Sequence, residues 1–391
     1  MLVVRRSILA TALAAPFVAR AQTQLRIGVL TTLSGPAAEG AGTGSVLGAQ
    51  MALEAWPSVP ATLISADMGE RPDTGAAIAG AWFDREGVDV IVDVPNSATA
   101  LAVAALTRQR DRVALFSGPG TTLLTGPQCS PNHLQWTYDT AALAASTGRA
   151  VLAEGGKRWF FLTADYVFGH GLQHDMAQVI QAGGGEIAGS AAFPAETADF
   201  SPLLLQAQAS GADVVALACT GAPFETLVKQ AAEFGVARGG QRLASPLCLL
   251  TNVHAIGLDA AQGLLVTEPF YWDVSAGTRD FAGRFAARNR GVPPTMVHAG
   301  VFSAVNHLLR TVSQVSARGA ALVAAMKRMP AQDELFGVST IRANGAVAHP
   351  MHLFQVKAPA QSAGAWDVYR LLRTTPAEAA YPVTFGCALP P

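Results

Sequence analysis

The feature that most constrains the fold is an alternation of short apolar runs, rich in β-branched residues, with longer stretches rich in Ala and Leu. Such runs are typical of buried strands, and the stretches between them have the length of helices. Strands are predicted over 25–30, 61–66, 88–94 and 113–116, and helices over 41–53, 75–86 and 97–110. Strands that alternate with helices in this way form parallel sheets covered by helices on both faces.

The same alternation begins again after a predicted helix over 139–155. Further strands are predicted over 159–162, 186–192, 214–218, 247–250 and 264–267, with helices over 170–182, 201–211 and 224–234. A mixed region follows, with helices over 278–289, 297–316 and 320–328 and short strands over 338–342, 351–356 and 366–371. The sequence therefore predicts an α/β protein with two doubly wound lobes, which ordered crossings join because no flexible linker is present.

Length, composition and charge exclude several classes of protein. The 391 residues predict two or three domains. Half of them are hydrophobic and only 14% are charged, which excludes a disordered chain. The 27 basic and 28 acidic residues nearly cancel, so no global positive field favours nucleic acid. No apolar run reaches the ~18 residues of a transmembrane helix.

The N-terminus has the pattern of a secretory signal peptide over 1–21. Arg5 and Arg6 precede an apolar run over 8–18, and Ala19 and Ala21 are the small residues before a cut at Gln22. An uncleaved anchor is the alternative. The arginine pair also permits the twin-arginine route in place of the Sec route. We expect export to the periplasm.

Export makes a disulfide chemically possible. Cys129 and Cys387 occur in irregular segments, whereas Cys219 and Cys248 occur in or beside apolar strands, where a free thiol packs as a small hydrophobic group. We therefore expect a Cys129–Cys387 bond. Because no C-x-x-C motif is present, a zinc site or a thioredoxin-like site is not expected.

The familiar enzyme signatures are missing, and no cofactor is expected. The sequence has no G-x-S-x-G elbow, H-E-x-x-H helix or phosphate-binding loop. The glycine-rich run over 40–45 resembles a dinucleotide loop, but its third glycine is misplaced and it does not directly follow the strand.

Two histidine patterns leave alternatives open. His170 and His174, with Asp175 adjacent, have the spacing for one metal ion on a helix, although a solvent-facing or packing role is the simpler interpretation. A secreted hydrolase would use Ser97 or Ser117 with His170 or His254, and no recognised nucleophile motif supports it.

Candidate binding residues of the first lobe follow two predicted strands. Asn96, Ser97 and Ala98 come where the third strand leads into a helix, whose free backbone amides suit an anion. The alternative is that Asn96 or Ser97 is only the helix cap. The next strand leads into a turn with Pro119, Gly120 and Thr121. Backbone groups and hydroxyls of these turns could together bind a carboxylate.

Aromatic residues follow strands of the second lobe. Tyr166 and Phe168 come after its first strand, where their rings could cover a ligand. Tyr271 belongs to a further aromatic cluster over 270–273. The alternative for each of them is packing between or within the lobes.

At these residues the sequence resembles the periplasmic solute-binding proteins of ABC importers of the branched-chain amino acid type. The resemblance includes Ile27-Gly28-Val29 with Ser34-Gly35-Pro36, the segments 48–53, 88–97 and 164–169, Asp199-Phe200-Ser201 and Gln262-Gly263-Leu264. The segments 136–139, 270–273 and 341–345 and the pair Trp366-Asp367 resemble one branch of the family. These segments occur in order over essentially the whole chain after the leader.

The resemblance implies the type I binding fold, with two lobes joined by a three-crossing hinge that close on a ligand. The first, anion-binding lobe would comprise 22–140 plus 273–345, and the second, lid-like lobe 141–272 plus 346–391. Ser97, the Pro119 carbonyl and Thr121 would hold the carboxylate end of the ligand, and Phe168 or Tyr166 would cover it. Gly120, Thr220, Asn252 and Tyr271 complete the candidate set.

One departure from the family bears on the ligand. Its amino-acid binders place an acid in the second lobe against the ligand ammonium, but residues 250–254 contain no carboxylate. Because a buried ammonium without a counter-charge is costly, we expect aromatic or other organic acids before amides or amino acids.

The function implied by the resemblance is transport. An exported, monomeric protein would capture a small molecule and deliver it to an ABC permease in the inner membrane. The alternative is a sensor that reports ligand occupancy to a membrane receptor.

Overall fold

The apolar runs of the first α/β unit form one parallel five-stranded sheet. The structure is a computed structural model and describes residues 24–69, 71–382 and 386–389; the predicted leader lies outside them. The strands are Leu25–Thr31 (β1), Ala61–Asp67 (β2), Val90–Asp93 (β3), Val113–Phe116 (β4) and His133–Gln135 (β5). Their order in the sheet is β2-β1-β3-β4-β5. The direction of winding therefore changes between β1 and β3, and open α/β sheets bind ligands in the crevice at such a point.

Helices cover this sheet on both faces, which explains why β3 and β4 are buried at every position. The helices of this part of the chain are Gly42–Ala55 (α1), Pro72–Ala81 (α2), which continues as a π-helical turn over Trp82–Glu86, and Ser97–Arg110 (α3). Val90 and Val92 pack on the face of α1, whereas Ile91 packs on the opposite face with Trp82 and Val103.

The second α/β unit repeats this winding. Its strands are Arg158–Ala164 (β6), Glu186–Phe193 (β7), Val214–Ala218 (β8), Arg242–Ser245 (β9) and Leu265–Glu268 (β10). Its helices are Thr140–Ala153 (α4), Val167–Ala182 (α5), Ser201–Ala209 (α6), Ala222–Glu233 (α7), Leu250–Ile256 (α8) and Leu258–Ala261 (α9). The order β10-β9-β8-β6-β7 places the change of winding between β6 and β8.

The remaining chain returns to the first sheet and then completes the second. Helices Ala276–Ala286 (α10), Met296–Gln314 (α11) and Gly319–Arg328 (α12) precede three short strands, Ala331–Asp333 (β11), Gly337–Ile341 (β12) and Val347–Ala348 (β13). Met351–Val356 (β14) and Tyr369–Thr375 (β15) then extend the second sheet in antiparallel pairing. The short helix Ala377–Ala380 (α13) follows.

The chain passes between the two sheets three times, from β5 to α4, from β10 to α10 and from β13 to β14. The predicted α/β architecture of two doubly wound lobes with a three-crossing hinge is confirmed. The tail then connects the sheets again, because Cys387 is bonded to Cys129 as expected, with a Cα–Cα distance of 5.5 Å. Cys219 and Cys248 are free and buried.

Several details of the predicted secondary structure are wrong. No strand was predicted at His133–Gln135 (β5), and no helix at Leu250–Ile256 (α8) or Leu258–Ala261 (α9). Residues 247–250 do not form a strand: β9 ends at Ser245, and α8 begins at Leu250. The apolar side chains of Leu247 and Cys248 are buried in the connection, so the apolar run marks burial rather than extended pairing. The last strand begins at Tyr369, three residues after the predicted start. Among the described residues, no helix is both long and apolar enough to cross a bilayer.

Candidate functional site

Asn96 and Ser97 lie where β3 leads into α3. The side chain of Asn96 caps the helix, because its Oδ1 accepts hydrogen bonds from Thr99 N at 3.0 Å and from Thr99 Oγ1 at 3.2 Å. Ser97 is the first residue of the helix and is only 5% exposed; Ala98 is half-buried. The capping alternative thus describes Asn96, while Ser97 and the first amides of α3 have the geometry to bind an anion.

The turn after β4 is ordered by contacts of its own backbone. The Pro119 carbonyl accepts a hydrogen bond from Gln135 Nε2 at 3.0 Å, and the Gly120 carbonyl accepts one from Thr140 N at 2.7 Å. Thr121 Oγ1 accepts a bond from Leu123 N at 3.3 Å, and a hydroxyl that accepts one hydrogen bond can still donate another. Thr121 is 3% exposed, so this donor is shielded from solvent.

Phe168 of the second lobe lies directly against this turn. A Cβ on Gly120 would come within 2.9 Å of Phe168 Cε2 and 3.0 Å of Tyr138 Cε2. Glycine at position 120 therefore allows a close approach between the lobes. Tyr166 is half-buried, and its ring stacks on that of Phe168 with the centroids 6.1 Å apart. Phe168 thus lies beside both the turn at Gly120 and the ring of Tyr166.

The carboxylate of Asp175, on α5, provides a polar contact between the lobes. Its Oδ2 accepts hydrogen bonds from Thr140 Oγ1 at 2.6 Å and, more weakly, from Thr122 Oγ1 at 3.5 Å. Burial raises the pKa of Asp175, and the two hydroxyls and His174 oppose this effect. Asp175 was expected only as a neighbour of a metal site, and the structure gives it this different role.

Two candidates, Asn252 and Tyr271, have their polar groups engaged within the second lobe. The amide of Asn252 donates to Glu225 Oε1 at 2.8 Å and accepts from Leu249 N at 3.0 Å. Tyr271 is buried, and its hydroxyl donates to the Trp366 carbonyl at 2.9 Å. Thr220 follows β8 and is half-buried. The packing alternative therefore describes Tyr271.

The histidine patterns are not assembled as sites. His170 Nε2 lies 2.7 Å from Asp165 Oδ1, whereas His174 Nε2 lies 2.8 Å from Gln178 Nε2, so the two exposed rings have different partners. His254 stacks on Trp366 with centroids 4.0 Å apart. Within the described part of the chain, no histidine is hydrogen-bonded to a candidate serine, and no cluster of three His, Cys, Asp or Glu residues could hold a metal ion.

Sequence reasoning gave no role to Asp93 and Tyr138, which both lie at this edge of the first sheet. Tyr138 is buried in the first crossing, and its hydroxyl donates to the Gly118 carbonyl. Asp93 ends β3 with no exposed surface, and burial raises its pKa to about 6 against smaller opposite effects of the Ser45 and Thr31 hydroxyls. In the sequence, the signal for Asp93 was an acidic residue near the end of a mostly apolar run.

Known proteins are similar to this chain in sequence and in fold. The family model described as "Periplasmic binding protein" matches residues 24–365. A periplasmic binding protein from Burkholderia mallei is 36% identical, with a TM-score of 0.89, and the match covers 94% of this chain and 99% of that one. A branched-chain amino acid ABC transporter periplasmic ligand-binding protein from Burkholderia xenovorans LB400 is 35% identical, with a TM-score of 0.84 and coverage of 91% and 96%.

A curated relative matches over a shorter region. The Leu/Ile/Val-binding protein homolog 6 of Brucella abortus (strain 2308) is 25% identical over 207 residues, which are 52% of this chain and 52% of that protein. The match thus spans about half the length of such relatives. The family model and the two Burkholderia structures extend over nearly all of the described residues, and the chain belongs to the periplasmic binding protein family.

Proposed function

We propose that this chain is the solute-binding component of an ABC importer and captures a small carboxylate-bearing solute between its lobes. The candidate solutes are aromatic and other organic acids, followed by amides and amino acids. The observation that carries the proposal is the N-terminus of α3 at Ser97, which lies buried beside a turn that Phe168 covers from the other lobe. Helix amides and a hydroxyl suit a carboxylate, and an aromatic ring suits its carbon skeleton.

The mechanism follows from the two lobes. The first lobe, which we take as 22–140 plus 273–345, binds the anion, and the second, 141–272 plus 346–391, closes over it by rotation at the hinge. The ABC permease recognises the closed form. In this proposal the leader at 1–21 directs export, and the mature monomer acts in the periplasm. The description of the Burkholderia xenovorans relative supports the role in transport.

A thermal-shift screen of the chain from Gln22 onward, against organic acids, amides and amino acids, tests the proposal. A ligand at about 100 times its dissociation constant adds about 2.7 kcal/mol to the free energy of unfolding. We expect at least one carboxylate to raise the melting temperature. If none of these solutes does so, the proposal fails.

A matched pair of variants connects binding to the site. Ser97→Ala removes the hydroxyl at the start of α3 and should reduce the shift caused by an active acid. Thr226→Ala removes an exposed hydroxyl on α7, where it donates only to the Ala222 carbonyl at 3.1 Å. The control should retain the full shift, and equal shifts in both variants would remove Ser97 from the site.

A further inference from the structure

The crevice between the carboxyl ends of β1 and β3 contains a buried carboxylate that the proposed anion site does not use. Asp93 is 0% exposed, and among the described residues neither of its carboxylate oxygens has a hydrogen-bond partner of good geometry. Buried polar side chains are nearly always hydrogen-bonded, so an unpartnered carboxylate requires an explanation. Its place is the point where the winding of the sheet changes, the usual ligand crevice of such sheets.

The neighbouring groups leave part of the acceptor capacity of this carboxylate unused. The amides of Ser117 and Gly118 donate to the main-chain carbonyl of Asp93, at 3.3 and 3.5 Å, rather than to its side chain. The Thr31 and Ser45 hydroxyls lie beside the carboxylate. Each of these hydroxyls can donate one hydrogen bond to it, and Thr31 Oγ1 also accepts a bond from Gly42 N at 3.1 Å. A carboxylate can accept about four hydrogen bonds. The crevice therefore has acceptor capacity that the described residues leave unused.

The backbone turns Asp93 towards this crevice. By the alternation of β3, its side chain should lie on the face of Ile91, but it lies beside Ser45 of α1 on the opposite face. The reversal requires positive φ angles of 78° at Asp93 and 57° at Val94. Such angles are unfavourable for residues other than glycine, and this kind of strain is found most often at functional sites.

The carboxylate also lies against the second turn of the candidate anion site. A Cβ on Gly118 would come within 2.9 Å of Asp93 Oδ1 and 2.5 Å of Pro95 Cα. Pro95 lies between Asp93 and Ser97 in the sequence. The 117–121 turn lies against both Pro95 and the Asp93 carboxylate. A ligand whose carboxylate is bound at Ser97 would then direct its nearest substituents towards this crevice.

We infer that Asp93 is a specificity-determining residue, which accepts a hydrogen bond from an N–H or O–H group that the bound solute carries beside its carboxylate. The inference rests on the proposed function and narrows its substrate class. At neutral pH an ionised Asp93 repels the ligand carboxylate, so we expect the group that faces Asp93 to be a donor. A solute with a carboxylate alone leaves this buried acceptor unpaired, which a site built for a donor penalises strongly.

The acid that is missing from the second lobe has a counterpart in the first lobe. Residues 250–254 lack a carboxylate, but Asp93 supplies an acid from the first lobe. An amino group on the ligand therefore need not be buried without a counter-charge.

Two matched series of acids test the inference by equilibrium titration of the chain from Gln22 onward. The aromatic series is 3-phenylpropanoate, its 2-hydroxy derivative and phenylalanine; the aliphatic series is 4-methylpentanoate, its 2-hydroxy derivative and leucine. In at least one series, we expect a donor-bearing member to bind at least about tenfold tighter than the parent acid. The stronger member distinguishes an O–H donor from an N–H donor.

Asp93→Asn should abolish this preference, because the amide replaces one acceptor oxygen by a donor of nearly the same size. Asp89→Asn is the matched control at the opposite edge of the sheet, where Asp89 Oδ1 pairs with Arg112 at 2.9 Å and Arg318 at 2.6 Å. The control should lower the melting temperature without changing the ratio of dissociation constants.

The possible outcomes distinguish the role of Asp93 from the proposed binding of carboxylate-bearing solutes. If the wild-type chain binds the parent acids as tightly as the donor-bearing acids, the role of Asp93 is overturned, while the binding of acids stands. If Asp93→Asn weakens every member of a series equally, Asp93 is structural, and the inference fails again. If no acid of the wider screen binds, the proposed function and this inference fall together.

Discussion

Thr122 Oγ1 of the first lobe lies 3.5 Å from Asp175 Oδ2 of the second, and the same oxygen accepts a bond from Thr140 Oγ1 at 2.6 Å. Asp175 thus connects the rim of the cleft to the start of α4, directly after the first crossing. Asp175→Ala should favour opening of the lobes and weaken ligand binding about fivefold, the loss of roughly one net hydrogen bond. Titration and the rate of ligand dissociation measure this effect.

His174→Ala is the control for that variant. His174 is the neighbouring residue on α5, is exposed, and contacts Gln178 rather than the first lobe. Its removal should leave the dissociation rate unchanged. An equal effect of the two variants would assign the change to α5 in general rather than to the contact between the lobes.

Gly120, which lies against the ring of Phe168, offers a second test. Gly120→Ala would place a methyl group 2.9 Å from Phe168 Cε2 and 3.0 Å from Tyr138 Cε2, so the rings must move away from the turn. We expect ligand affinity to fall at least about tenfold, because small displacements at a closed site are costly. Calorimetric titration measures the change.

Gly80→Ala is the control, because the same substitution at this position should leave ligand affinity unchanged. Gly80 lies in α2, and a Cβ there meets no atom within 4 Å. Alanine is the better helix former by about 0.8–1.0 kcal/mol, so this variant should unfold at a higher temperature and bind normally. Normal binding by Gly120→Ala would contradict the close approach of Phe168.

Stability should decrease between pH 7 and pH 5. Burial lowers the pKa values of His133, His298, His307 and His352 to about 4. In the unfolded chain these rings take up protons below about pH 6.5, so the stability they contribute at neutral pH is lost as the pH falls towards 4.

The buried acids act in the opposite direction. Burial raises the pKa values of Asp93 and Asp139 to about 6, and the stability of these protonated forms is lost as the pH rises from about 4 through 6. Burial also raises the pKa values of Glu268 and Asp175 and lowers that of His349. Five histidines thus oppose four carboxyls, and we expect the net effect of acidification to be a loss. Urea unfolding at several pH values measures the slope.

His298→Gln should make that slope shallower, because it removes one ring that is buried against the Ala41 carbonyl. His254→Gln, at an exposed ring, is the control. A slope that His298→Gln leaves unchanged would contradict the account.

The disulfide should stabilise the folded chain substantially. Cys129 and Cys387 are separated by 258 residues, and closing a long loop restricts the unfolded chain. Replacing both with serine should lower the free energy of unfolding by about 2–5 kcal/mol. Because the other two cysteines are buried and free, a reductant should destabilise the wild-type chain and leave the double variant unaffected. A similar effect of the reductant on both proteins would contradict this assignment.

Local sequence patterns predicted helices and strands well where recognisable residues mark both of their ends. Helix α3 begins and ends as expected, because Asn96 caps its start. Strands β4 and β8 also match, since each is a short apolar run, and β14 matches although it contains His352 and Gln355. The run over 247–250 shows the limit: apolar character indicates burial, and the chain buries Leu247 without pairing it in the sheet.

The contacts of the candidate site residues were harder to predict from the sequence than the helices and strands. Ser97 and Phe168 could be placed at strand ends from the sequence, and the structure brings the turns and the ring together. The partners of Asn252 and Tyr271, Glu225 and Trp366, lie 27 and 95 residues away in sequence, so their engagement was not visible in a local pattern. The side chain of Asp93 departs from the alternation of β3 at a residue with a positive φ angle, which the apolar pattern of the strand does not indicate.

The most direct test of the central claim compares the best-bound acid of the screen with its methyl ester, by calorimetric titration of the wild-type chain. The ester keeps the carbon skeleton and removes the negative charge that α3 and Ser97 are proposed to hold. The account predicts that the acid binds at least about tenfold tighter than the ester, because hydrogen bonds to a charged group are the stronger ones. Equal affinity for the acid and the ester would contradict it.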